Sequence, residues 1–84
     1  MTCFVYILRS TKNGRYYIGQ TQDISKRVLL HNKGKVKSTK PYSPWELIFS
    51  EEFGTRGEAI LRESQIKSWK SRKRIEALIN ELVP

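Results

Sequence analysis

The dipeptide Asn13-Gly14, set between two short β-forming runs, constrains this chain more than any other feature. Before it, Cys3-Phe4-Val5-Tyr6-Ile7-Leu8 predicts a strand over Thr2–Leu8; after it, Tyr16-Tyr17-Ile18-Gly19 predicts the returning strand, closed by Gly19. Asn-Gly tolerates the two positive φ angles of a type I′ turn, so the pair reads as a hairpin. With 84 residues the chain is expected to form one domain over 1–84. A chain of that size buries only about 60% of its unfolded surface, so the core built on the hairpin must be economical.

The remaining pattern supplies the layer that covers it. Asp23 is placed as an N-cap for a helix from Ile24 to about Lys33, with Gly34 as its C′ stop. Ile24 and Val28 share one face of that helix, broadened by Leu29 and Leu30. Residues 34–44 read as a basic loop, and Trp45 to Phe53 as a third strand with Leu47 and Phe49 alternating against Glu46 and Ser50. Thr55-Arg56-Gly57-Glu58 fits a capping box opening a helix to about Trp69. Ser71 is placed to cap a last helix whose Ile75, Leu78, Ile79 and Leu82 have the spacing of one apolar face. The expected fold class is α+β: a three-stranded antiparallel sheet, the hairpin plus a third strand, flanked by helices.

Charge narrows the partners. Sixteen Lys and Arg against eight Asp and Glu give +8, which suits nucleic acid, an anionic membrane or an acidic protein; nucleic acid leads, because a basic balance is its usual footprint. Cys3 is the single cysteine, so an internal disulfide and a Cys/His zinc site are both excluded, and its apolar strand makes it a core residue rather than a nucleophile. No signal-like segment is evident and no apolar run approaches ~20 residues, so the expectation is no membrane span and a cytoplasmic protein.

Three groups of residues are not absorbed by the fold. Arg27 and His31, four apart, project from one helix face. That arrangement fits a solvated polar surface, or a guanidinium beside an imidazole arranged for phosphoryl chemistry. Glu63 shares a stripe with Ala59 and Ile66 that otherwise looks core-facing. A carboxylate there needs an ion-pair partner or a metal. Glu58 is accounted for by the capping box. Tyr6, Tyr16 and Tyr17 lie on the hairpin, and Tyr16 and Tyr17, being consecutive, must face opposite sides of the sheet. Trp69, inside a basic run, is assigned to core packing ahead of base stacking.

Val5-Tyr6-Ile7 followed by Tyr17-Ile18-Gly19 resembles the paired motifs of the GIY-YIG nuclease superfamily, with Val5 where the first motif names glycine. Arg27 and His31 resemble the arginine and histidine of its first helix, and Ala59 to Glu63 its small-residue-to-glutamate spacing. His31-Asn32-Lys33-Gly34, Trp45 and Ile66-Lys67-Ser68-Trp69 further resemble its short stand-alone bacterial branch. The family's late polar residue, often asparagine, has Asn80 as its only late candidate.

The resemblance implies a metal-dependent endonuclease that hydrolyses DNA phosphodiester bonds with low sequence specificity, in repair or recombination. It implies Glu63 as ligand of one Mg²⁺ (or Mn²⁺), the metal stabilising the leaving 3′ oxygen, and Arg27 neutralising charge on the phosphate. Tyr6 would activate water, passing its proton to His31 or a metal-bound hydroxide, and Tyr17 would position water or phosphate. Lys33, Lys35, Lys37 and Lys40 on the loop, with Lys67, Lys70, Arg72, Lys73 and Arg74 near the last helix junction, would hold the nucleic-acid backbone. The alternatives are a non-catalytic binding module for DNA or structured RNA, and a nuclease subunit that needs a protein partner.

Overall fold

A computed structural model describes residues 2–81. The elements run β1 (Cys3–Ser10), β2 (Tyr16–Thr21), α1 (Ile24–Asn32), a 3₁₀ turn at Lys40–Tyr42, β3 (Trp45–Phe53), α2 (Arg56–Ser68) and α3 (Arg72–Glu81). The sheet has the order β2-β1-β3, antiparallel throughout, so the first strand lies in the centre. This is the expected α+β arrangement.

Both hairpin strands are longer than their apolar runs, and the connection differs from the expected turn. Residues 11–15 form the loop, closed by Ser10 N donating to Arg15 O at 2.8 Å and Gly14 N donating to Ser10 O at 2.9 Å. Only Gly14 has a positive φ, +78°; Asn13 does not, so this is not a two-residue type I′ turn. Asn13 instead accepts the Arg15 N–H on its side chain, and the Ser10 hydroxyl accepts from Lys12 N and Asn13 N. Local side-chain bonds of this kind replace the tight turn.

The sheet separates two apolar layers. Cys3, Val5 and Ile7 point to one side and pack with Phe49, Ala59, Ile66 and Ile75 from β3, α2 and α3. Tyr6 and Leu8 point to the other and pack with Trp45, Tyr17, Val28 and Tyr42. Tyr16 joins the first layer and Tyr17 the second, as their consecutive positions require. Cys3 is a core residue.

Two expected apolar positions are misplaced. Leu29 does not widen the buried face of α1; it is 51% exposed. Leu47 is exposed while Phe49 is buried, because Ile7 pairs with Phe49 but Leu8 pairs with Leu47. The extra residue, Ile48, is a β-bulge that breaks the alternation read from the sequence.

The helix ends follow their capping residues. Asp23 Oδ1 accepts from Lys26 N at 3.0 Å, and Gly34 follows the C-cap with φ +72°. Thr55 Oγ1 accepts from Glu58 N at 3.2 Å and donates to the Glu58 carboxylate at 3.0 Å. Ile75, Leu78 and Ile79 turn α3 onto the core; Leu82 lies outside the described residues. Arg72 fastens α3 to the hairpin. It stacks over Tyr16 at 4.3 Å, donates to Gly14 O at 2.9 Å and pairs with Glu76.

Candidate active site

The middle of β1 places Tyr6 on the α1 side of the sheet, 1% exposed. Its ring crosses the neighbouring strand at its register partner, Gly19. A Cβ on Gly19 would stand 2.6 Å from the Tyr6 hydroxyl and 2.7 Å from Cζ, so only glycine leaves room for the phenol. Tyr17, two residues earlier on β2, brings its ring centroid to 6.3 Å from Tyr6 and 4.8 Å from His31.

Helix α1 delivers the other two groups from successive turns of one face. Tyr6 Oη lies 3.1 Å from His31 Nε2, and Arg27 Nε donates to the same oxygen at 3.4 Å. His31 is completely buried, so the pair is not a solvated polar face. Arg27 also borders a cleft of about 440 Å³ lined by Gln20, Thr21, Gln22, Asp23 and Arg56. The guanidinium thus has the phenol on one side and open space on the other.

The electrostatics follow from burial. Desolvation pushes the Tyr6 phenol above its ordinary value of 10.0; the Arg27 hydrogen bond opposes this, while Tyr17 and the negative charge of Glu63 add to it. The hydrogen bond to Tyr6 raises Arg27 further, so it stays charged. Burial first, and the Arg27 charge second, lower His31 below 6.5, leaving a neutral imidazole at pH 7. The group is therefore a protonated phenol between a permanent cation and a neutral imidazole.

Glu63 comes from α2, between Ala59 and Ile66, both fully buried. Its side chain is 19% exposed and Oε2 pairs with Lys67 Nζ at 2.9 Å, the ion pair anticipated as one explanation of its position. It has no hydrogen bond to the tyrosines or His31 among the described residues; its link to Tyr6 is through its charge. Among the described residues no three of His, Cys, Asp and Glu stand together. A cation here would have a single carboxylate, which fits Mg²⁺, a hard ion that keeps several waters and borrows substrate oxygens.

The basic residues divide into two kinds. Lys33, Lys35, Lys37 and Lys40 are all exposed on the loop after α1. Lys70 and Lys73 are exposed near the α2–α3 junction, Lys70 with φ +50°, a left-handed position that turns the chain between the helices. Lys67, Arg72 and Arg74 are exposed too and also make contacts within the protein: Lys67 pairs with Glu63, Arg72 clamps the hairpin, and Arg74 lies 4.7 Å over the Trp69 ring. Trp69 packs against the core as expected. Asn80 borders a separate cleft with Arg9, Tyr16 and Arg72, away from the Tyr6 cluster.

Sequence reasoning missed Thr39 and gave Asn32 and Trp45, which it quoted only as part of the resemblance, no role in holding His31. Thr39, 2% exposed, places Oγ1 2.7 Å from His31 Nδ1. Trp45 Nε1 donates to Thr39 O at 3.0 Å. The Asn32 side chain donates to Trp45 O at 3.1 Å and accepts from Trp45 N at 2.6 Å, serving as a strand neighbour for β3. A basic, Pro-containing loop carries no periodic signal for such contacts. The available hint was His31 itself, since a buried imidazole needs partners for both nitrogens.

Comparisons with known proteins agree with this architecture. The family described as the GIY-YIG catalytic domain matches residues 2–76. A UPF0213 protein of Staphylococcus saprophyticus is 39% identical over 79 residues, covering 93% of this chain and 94% of that one. UPF0213 protein YazA of Bacillus subtilis is 43% identical over 79 residues, covering 93% of this chain and 78% of its own. The solution NMR structure of the UPF0213 protein BH0048 from Bacillus halodurans superimposes with a TM-score of 0.62 at 34% identity, over 98% of this chain and 86% of that one. The chain belongs to the GIY-YIG family, a nuclease domain family, and its relatives are the UPF0213 proteins.

Proposed function

We propose that this chain is a metal-dependent endonuclease that hydrolyses DNA phosphodiester bonds with little sequence preference. The observation that supports it most is the Tyr6 phenol held between the Arg27 guanidinium and the His31 imidazole beside an open cleft. A polar cluster built only for stability has no need of a permanent cation at the cleft wall.

In this reading a water molecule attacks the scissile phosphorus while Tyr6 takes its proton and gives its own to His31 Nε2. The new bond is water oxygen to phosphorus; the bond broken is phosphorus to the 3′ oxygen, which leaves with the bonding pair and takes a proton from solvent water, while His31 returns its extra proton to solvent through Tyr6. With its pKa raised, Tyr6 acts as a relay and not as a standing phenolate. Arg27 neutralises the charge growing on the phosphate oxygens, and it acts in a partly dry site where such contacts are strong. Tyr17 orients the water or the phosphate. Glu63 holds the cation, which when bound supplies charge stabilisation at the leaving oxygen. Lys33, Lys35, Lys37 and Lys40 gather the backbone without reading bases.

The test is nicking of supercoiled plasmid with Mg²⁺ or Mn²⁺. Wild type is expected to nick, and Arg27→Ala and Glu63→Ala are expected to bind plasmid but leave it intact. Wild-type protein that binds plasmid with either metal and never nicks it would replace this reading with that of a binding module.

A further inference from the structure

A proton passed from Tyr6 to His31 Nε2 needs that nitrogen to be bare, so the tautomer of the neutral imidazole decides whether the relay can run. We infer that Thr39 is a positioning residue whose hydroxyl holds His31 as the Nδ1–H tautomer, aiming the Nε2 lone pair at Tyr6. The catalytic consequence rests on the proposed nuclease function; the tautomer does not.

The inference comes from accounting for every proton in a buried chain of four groups. Tyr6 Oη, His31 Nε2, His31 Nδ1 and Thr39 Oγ1 are joined at 3.1 Å and 2.7 Å, and Thr39 Oγ1 donates onward to Val36 O at 3.3 Å. Tyr6, His31 and Thr39 are all buried. If the chain runs from Tyr6 to Val36, the phenol donates to Nε2, Nδ1–H donates to the threonine oxygen, and the threonine donates to the carbonyl. Each hydrogen then has an acceptor.

If the chain runs the other way, Thr39 donates to Nδ1 and Nε2–H donates to Tyr6. Tyr6 would then accept from both His31 and Arg27, and its own buried phenolic hydrogen has no acceptor among the described residues. Leaving that donor unmet is the costlier arrangement.

The threonine is held to this task from both sides. The Val36 carbonyl also accepts Thr39 N at 3.1 Å and Lys40 N at 3.0 Å, fixing the turn that presents Oγ1. Trp45 holds the Thr39 carbonyl, and Asn32, next to His31, holds the Trp45 backbone. Helix, loop and strand thus meet at one hydroxyl.

His31 is the only histidine, so long-range ¹H–¹⁵N correlation spectra of the intact protein above pH 7 report its tautomer without ambiguity. The expected spectrum has a protonated Nδ1 and an unprotonated Nε2. Thr39→Ser should keep it, and Thr39→Val should shift the population toward Nε2–H. In the nicking assay Thr39→Val should lose about tenfold or more in kcat with plasmid binding retained, the usual effect of removing a group that orients a functional histidine. Thr39→Ser should restore activity. A wild-type spectrum of the Nε2–H form, or a Thr39→Val protein with an unchanged tautomer, overturns the inference. If Thr39→Val fails to fold, the wild-type and Thr39→Ser spectra decide it. Absence of nicking in wild type counts against the proposed function and leaves the spectral result standing.

Discussion

Gly19→Ala puts the geometry around Tyr6 to a direct test. Gly19 does not have a positive φ, so its backbone accepts alanine and only the space is at issue. The new methyl carbon would lie 2.7 Å from Tyr6 Cζ and 3.1 Å from Cε1. The nearest atom, the Tyr6 hydroxyl oxygen, would lie 2.6 Å away, so to reach ordinary contact at 3.4 Å the phenol must retreat by about 0.8 Å. The ring is buried against Leu8, Trp45 and Tyr17, so it has nowhere to go without disturbing them. Overpacking of this kind costs about 1–3 kcal/mol, which for a domain this size lowers the melting temperature by roughly 4–24 °C. The same retreat pulls the hydroxyl from His31 and Arg27, and misplacement by about 1 Å costs on the order of 100-fold in rate. Differential scanning calorimetry and plasmid nicking measure the two effects separately. A Gly19→Ala protein that melts and nicks like wild type would show that the phenol does not lie over residue 19, and the proposed relay would lose its anchor.

Other expectations follow from individual contacts. Because burial and the Arg27 charge hold His31 below 6.5, the unfolded chain takes up a proton first as pH falls. Its contribution to stability is thus full above pH 6.5 and is lost as pH drops toward the folded value, so the melting temperature should decline below pH 6.5, and His31→Gln should flatten that slope. Arg72→Ala removes a stack on Tyr16 and a bond to Gly14 O and should lower the melting temperature by about 4–8 °C, with plasmid binding changed little. Replacing Lys33, Lys35, Lys37 and Lys40 by Gln should weaken plasmid binding and flatten its salt dependence, by up to about 0.9 in log–log slope per lost phosphate contact; an unchanged slope would place the bound backbone elsewhere.

Most of the fold was legible because its signals are local. Asp23 and Thr55 mark helix starts, and Gly34 a helix stop, by the hydrogen bonds and the φ they supply. Tyr6, Arg27 and His31 were legible as a set through spacing and resemblance, and the structure brings their polar atoms to one oxygen. What the sequence hid was non-local or irregular. The bulge at Ile48 has no signature in an alternating strand, so Leu47 was placed on the wrong side. The Asn13-Gly14 loop chose side-chain bonds over the tight turn its residues permit. Thr39 was one polar residue in a loop of lysines until the fold carried it to His31.

The central place of β1 in the sheet sets how this protein can fail. Tyr6 sits mid-strand with hydrogen-bonded neighbours on both edges, so no local opening or fraying end can release it. Amide hydrogens from Val5 to Leu8 should exchange with solvent only when the whole domain comes apart. Heat inactivation should accordingly trace the same curve as melting, with no partly unfolded form that has lost the phenol and kept the sheet.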